Sequence, residues 1–154
     1  MEGADDDPAA RIGAPWRRAA TTMSAAAFEA FRSAFLAGDA DQLAEAFTPD
    51  GAYATNAGYL LQGRDQIRTG AAEWFGRRPP DAIVNLDVRL LRSDEADALR
   101  WELLEYHQHG SVPGQSAAGT IDEAGHALAV YHRSHDATWR IESLVVSLRP
   151  PMPR

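Results

Sequence analysis

The apolar period of this chain changes near Val84, from the three-to-four spacing of helices to the two of strands, and it stays at two almost to the end. Because side chains alternate across a strand but recur every 3.6 residues on a helix, that switch divides the fold into a helical front and a sheet behind it. Ahead of it, Ser24 can cap a helix whose apolar positions are Phe28, Phe31, Phe35 and Leu36, and Gly38 ends it. Asp39 or Asp41 caps a second, short helix carrying Leu43, Ala46 and Phe47. Thr48-Pro49-Asp50-Gly51 reads as a turn, with short extended pieces at Ala52–Thr55 and Tyr59–Leu61. Gly63-Arg64-Asp65 opens a third helix, with Ile67, Ala71, Trp74 and Phe75 on one face; Gly76 closes it and Pro79-Pro80 breaks the chain.

Behind the switch, Val84, Leu86, Val88 and Leu90 alternate with Asn85, Asp87 and Arg89. A second long strand runs from about Ala98 to His109, followed by a loop over Gly110–Gly119. Strands at about His126–Arg133 and Trp139–Leu148 flank a turn at Ser134–Ala137. The expected class is α+β, three N-terminal helices packed in a curved, mainly antiparallel sheet.

Composition narrows the function. The 154 residues hold 15 basic and 22 acidic side chains, a net charge of −7, which argues against nucleic acid as a partner. No apolar run approaches the roughly 20 residues of a membrane span. Met1–Pro8 is acidic and lacks the apolar core of a signal peptide, so a cytoplasmic location is expected. With no cysteine there is no disulfide, thiolate metal site or cysteine nucleophile. All the basic residues are Arg, a bias that points to a GC-rich bacterial genome. Residues 1–22 read as a flexible extension, with an ordered arm anchored by Trp16 as the alternative; 23–149 form the domain and 150–154 a Pro-rich tail.

Three segments carry a resemblance. They are Phe35-Leu36-Ala37-Gly38-Asp39 through Phe47-Thr48-Pro49-Asp50-Gly51-Ala52, then Gly63-Arg64-Asp65-Gln66-Ile67, then Trp139-Arg140-Ile141. In order and spacing they resemble the NTF2-like superfamily, and most closely its SnoaL-like, polyketide cyclase-like branch. The resemblance implies a cone in which the sheet curls round the helices and leaves a deep apolar pocket. It also implies a choice among cyclases, ketosteroid isomerases, epoxide hydrolases, dehydratases and non-catalytic binding modules, because one fold hosts many functions.

Alternation suggests what lines the pocket. On the second long strand Leu99, Trp101 and Leu103 share a face with Glu105, His107 and His109, and the Leu and Trp side chains mark that face as inward. Glu105 and His107 are then expected to point into the cone about 7 Å apart, with His107 transferring protons, Glu105 orienting it and Trp101 packing on substrate. In SnoaL-like cyclases an Arg-Trp pair precedes a substrate-contacting His, and Arg100-Trp101 before His107 is similar. The acidic partner those cyclases place on the penultimate strand falls near Ala129. The ketosteroid isomerase base falls at about Thr55 and its oxyanion Tyr at about Phe31, so that mechanism is not expected. Arg100 and Glu102 come nearest to an epoxide hydrolase set, but the alternation turns them outward. Tyr53, Asn56, Tyr59 and Trp74 are further expected substrate contacts. On the last strand Ser143 is another, since Trp139, Ile141 and Ser143 share the face assigned to the core and Leu144, Val146 and Leu148 the convex one. Which face of the penultimate strand is inward stays open. His107-x-His109 has no identified third ligand, so no metal site is assigned.

The reading that follows is a cofactor-independent enzyme of bacterial secondary metabolism, such as antibiotic biosynthesis, acting on a hydrophobic small molecule. Its reaction is a polyketide-type cyclisation, isomerisation or dehydration by acid–base catalysis. The alternatives are a non-catalytic small-molecule binding protein and a dimerisation module with a filled pocket. A homodimer through the convex sheet face is expected, since family members commonly pair there and exposed apolar surface of that kind marks an interface.

Overall fold

The computed structural model describes residues 23–114 and 120–149. The readings of 1–22 as an extension and 150–154 as a tail lie outside the described residues. Helix α1 (Met23–Ala37) is followed by α2 (Ala40–Glu45), strand β1 (Phe47–Ala54), strand β2 (Leu60–Gln62) and helix α3 (Gly63–Arg77). Strands β3 (Ile83–Ala96), β4 (Leu99–Ser111), β5 (Ile121–Arg133) and β6 (Trp139–Leu148) complete the chain. No helix among the described residues is long and apolar enough to cross a membrane.

Local chemistry explains the boundaries. Gly38 takes φ +70°, a left-handed cap that only glycine reaches cheaply, and the Asp39 amide turns back to the Ala34 carbonyl at 3.0 Å. Asp39 then caps α2, its carboxylate accepting from the Gln42 amide at 2.9 Å. Phe47 belongs to β1 and not to α2, and α1 begins by Met23, ahead of the cap read at Ser24. The stretch read as a turn at Thr48–Gly51 lies within β1, whose pairing is interrupted there.

The sheet order is β2-β1-β6-β5-β4-β3, antiparallel except where β1 runs parallel to β6. Its inner face meets the three helices around a core that includes Phe31, Leu43, Phe47, Ile67, Tyr131, Ile141 and Leu144. On β5 the inward set is Ala127, Ala129 and Tyr131, which settles the face left open by the sequence; His126, Leu128, Val130 and His132 look outward.

On β4 the inward face is the opposite of the expected one. Arg100, Glu102, Leu104 and Tyr106 are buried, while Leu99 is exposed and Trp101 and Leu103 lie half-exposed on the convex side. The burial of Arg100 and Glu102 is possible because they face each other at 3.6 Å, and Arg100 also donates to Ser93 Oγ at 3.0 Å. The β6 assignment fails for a different reason. Tyr131 pairs with Ile141 and Val130 with Ser143, so Glu142 is an extra residue, a β-bulge that breaks the count of two. Beyond it Leu144 and Val146 turn inward, and Ser143 and Val145 turn out.

At Gly125 the β6 backbone leaves no room for a side chain. A Cβ built there would overlap the Ser147 carbonyl oxygen and lie 3.0 Å from Tyr106 Oη. Gly125→Ala is therefore expected to destabilise by about 1–3 kcal/mol, as overpacking does. Gly76→Ala, at an α3 position where the added methyl meets open space, should instead stabilise by about 0.5–1 kcal/mol. Urea unfolding of the pair checks this; midpoints that move in the same direction would contradict the packing account.

Candidate functional site

Between α1, α3 and the inner face of the sheet lies a cavity of about 450 Å³. Its volume is that of a small-molecule site, so the cone is not filled by its own side chains. The inner wall is aromatic. Phe28, Phe31 and Phe35 recur on α1, and Phe31 and Trp74 each meet the Tyr53 ring edge-to-face, with centroids 5.8 and 5.9 Å apart. Burial holds the Tyr53 phenol far above its ordinary pKa, with Tyr106 adding to the effect, so Tyr53 stays neutral and acts as wall. Leu86, Val88, Leu104, Leu144 and Val146 supply the opposite, aliphatic side.

Polar groups gather at the rim. Asn56, in the turn after β1, donates through Nδ2 to Glu123 Oε2 at 3.2 Å. Tyr106 and Gln108, inward on β4, stand beside them. Burial raises the Tyr106 phenol above its ordinary pKa; Asn56 offsets part of that rise and the Glu123 charge adds to it. Tyr106 is thus neutral next to a carboxylate, and its hydroxyl donates to the Ser147 carbonyl at 3.4 Å. At the C-terminal end of α3, Arg78 lies over the rings of Phe35 and Phe75, at 5.3 and 4.9 Å. It donates to the Phe35 carbonyl at 3.1 Å, so it caps the α1 C-terminus, and burial lowers its pKa.

Of the residues expected at the site, Tyr53, Asn56 and Trp74 line the cavity. Thr55 and Phe31, where an isomerase base and oxyanion donor were sought, line it too. Glu105, His107, Trp101, Tyr59 and Ser143 do not. Glu105 forms ion pairs on the convex face with Arg89 at 3.1 Å and Arg149 at 3.6 Å. His107 is exposed beside Asp122, and Trp101 lies under Arg92 at 5.8 Å. Tyr59 is 63% exposed. Arg100 and Glu102 do face inward, but outside the cavity lining, so they form no epoxide hydrolase set there. Sequence reasoning missed Tyr106, Gln108 and Glu123. The first two were on the face taken as convex, and Glu123 preceded the expected start of β5 at about His126. An acidic residue is therefore present on the penultimate strand, at the rim and not near Ala129.

Among solved structures, a Catenulispora acidiphila protein in complex with S-DNPA is 19% identical at a TM-score of 0.71, over 85% of this chain and 94% of that one. A ketosteroid isomerase-like protein from Erwinia carotovora atroseptica is 15% identical at 0.69, over 84% and 95%. A protein of unknown function from Mycobacterium tuberculosis is 17% identical at 0.70, over 84% and 76%. At these identities the likeness is one of fold. No curated protein matches the chain. Residues 20–145 match the SnoaL-like domain, most of the sequence. The chain belongs to the SnoaL-like domain family, within the NTF2-like superfamily.

Proposed function

We propose that this protein is a cofactor-independent enzyme that moves a proton on an apolar, carbonyl-bearing small molecule. The carrying observation is an aromatic cavity of about 450 Å³ whose polar groups, Asn56, Tyr106, Gln108 and Glu123, gather at one end. An apolar body fills the interior while its carbonyl meets the rim. Glu123 takes a proton from the carbon next to the carbonyl, Tyr106 turns its hydroxyl from the Ser147 carbonyl to donate to the substrate oxygen as negative charge develops, and Glu123 returns the proton elsewhere on the substrate. Asn56 holds the carboxylate in place. Cyclisation, isomerisation and dehydration of a polyketide-type substrate all begin with such a step, and SnoaL-like membership with an Arg-only basic set supports bacterial secondary metabolism as the setting.

The test supplies aromatic and polyketide-like β-dicarbonyl compounds in deuterated water and follows deuterium at the α-carbon by NMR. Enzyme-dependent incorporation is expected. Saturable binding without incorporation would instead support a non-catalytic binding protein.

A homodimer through the convex face belongs to the same proposal. Trp101, Val130 and Ser143 align across β4, β5 and β6, and Leu103, Leu128 and Val145 align beside them, an apolar stripe facing outward. Sedimentation should show a dimer that Leu128→Glu with Val145→Glu converts to monomer; a wild-type monomer would refute it.

A further inference from the structure

His107 and His109 are spare to the cavity, yet they are organised. The two rings lie with centroids 4.8 Å apart on the convex face of β4. In register, Asp87 on β3 stands opposite His107, and Asp122 on β5 opposite His109. Each imidazole instead reaches diagonally. His109 Nε2 meets Asp87 Oδ2 at 2.8 Å, and His107 Nε2 meets Asp122 Oδ1 at 2.6 Å. The donor atoms of Asp87, His107 and His109 all lie within 4.8 Å of one another.

We propose that Asp87, His107 and His109 form a binding site for a divalent transition-metal ion, with Asp122 as a fourth donor. Donors about 2.0–2.2 Å from a tetrahedral ion are roughly 3.4 Å apart. Asp87, His107 and His109 exceed that by up to about 1.4 Å, and they and Asp122, which reaches the group only through His107 at 2.6 Å, close on an ion by turning about their χ angles. Two imidazoles with two carboxylates suit Zn²⁺, Ni²⁺ or Cu²⁺ and not Mg²⁺ or Ca²⁺, and the carboxylates balance the ion's charge. Competing cations are engaged elsewhere. The neighbouring Arg89 and Arg149 pair with Glu105, and among the described residues neither aspartate has an arginine partner. The sequence showed only the His-x-His pair, because both aspartates come from neighbouring strands.

The experiment is calorimetric titration of the full chain with Zn²⁺ alone, and with Mg²⁺ for comparison. One Zn²⁺ per chain is expected, in the micromolar range, with no Mg²⁺ uptake. His109→Ala and His107→Ala should each weaken binding at least tenfold, and Asp87→Asn roughly tenfold. His126→Ala with His132→Ala, also on the convex face, should leave it unchanged. Absence of saturable Zn²⁺ binding, or binding that survives His107→Ala with His109→Ala, would overturn the site and leave two ordinary His–Asp hydrogen bonds.

Discussion

Arg100→Ala is expected to lower the unfolding free energy by about 3–5 kcal/mol, the cost of stranding a buried charge. Arg100 and Glu102 are 4% and 3% exposed, deep on the inner face of the sheet. The guanidinium lies 3.6 Å from Glu102 Oε2, donates to Ser93 Oγ at 3.0 Å, and stands 3.6 Å from Glu95 at the edge of the cluster. Beside them the Tyr131 phenol is held well above its ordinary pKa, first by burial and then by the Glu102 carboxylate. Removing the arginine leaves that carboxylate among apolar groups and a neutral phenol, where neither water nor a counter-charge reaches it. The loss is a large part of the roughly 5–15 kcal/mol that holds an ordinary domain folded. Arg100→Met combined with Glu102→Leu should restore most of it, since both charges then leave together. Urea unfolding of the three proteins decides: equal midpoints for Arg100→Ala and the wild type would show that the pair is solvated after all.

The second large effect concerns the rim. Glu123→Gln should reduce α-carbon deuterium incorporation by roughly 10²–10⁴-fold, the usual contribution of a positioned general base. Tyr106→Phe should reduce it by roughly 10²–10³-fold, the loss of one donor to a developing oxyanion. Both variants keep the shape of the wall, so ligand affinity should change far less than the rate, and that separation identifies a chemical role. His107→Ala, on the opposite face of β4, should leave the rate unchanged. A rate that falls in His107→Ala and holds in Glu123→Gln would return the chemistry to the convex side and refute the rim.

The helices, the long strands and the family were readable because periodicity and turn residues are local signals. The phase of β4 was not, for a reason specific to Arg100 and Glu102. Alternation shows that two faces differ, and hydrophobicity normally says which is inside. Here the buried face carries an ion pair that looks like surface, and the outer face carries Leu99, Trp101 and Leu103, which look like core. The inward direction of Tyr106 follows from that pair and was lost with it. On β6 the bulge at Glu142 moved Leu144 and Val146 to the cavity, since no composition rule marks one unpaired residue. Asn56 and Tyr53, in and just after β1, and Trp74, on the third helix, do line the cavity, since their positions follow from the turn and the helix and not from the phase of a long strand.

The parallel pairing of β1 with β6 has a consequence for how the chain acquires its structure. It joins Phe47 to Ile141 and Tyr53 to Leu144, residues far apart in the sequence. Within the sheet, β1 and β2 are joined to the other strands through that one seam. On a ribosome the aromatic faces of α1 and α3 therefore emerge long before the strand that covers them, and β1 waits with an open edge for the last strand to be made. Contacts of such long range form slowly, because the loop-closure entropy is lost before they can repay it. Maturation is then governed by the emergence of β6, and the exposed interval before it is when the nascent chain is most open to aggregation or to chaperone capture.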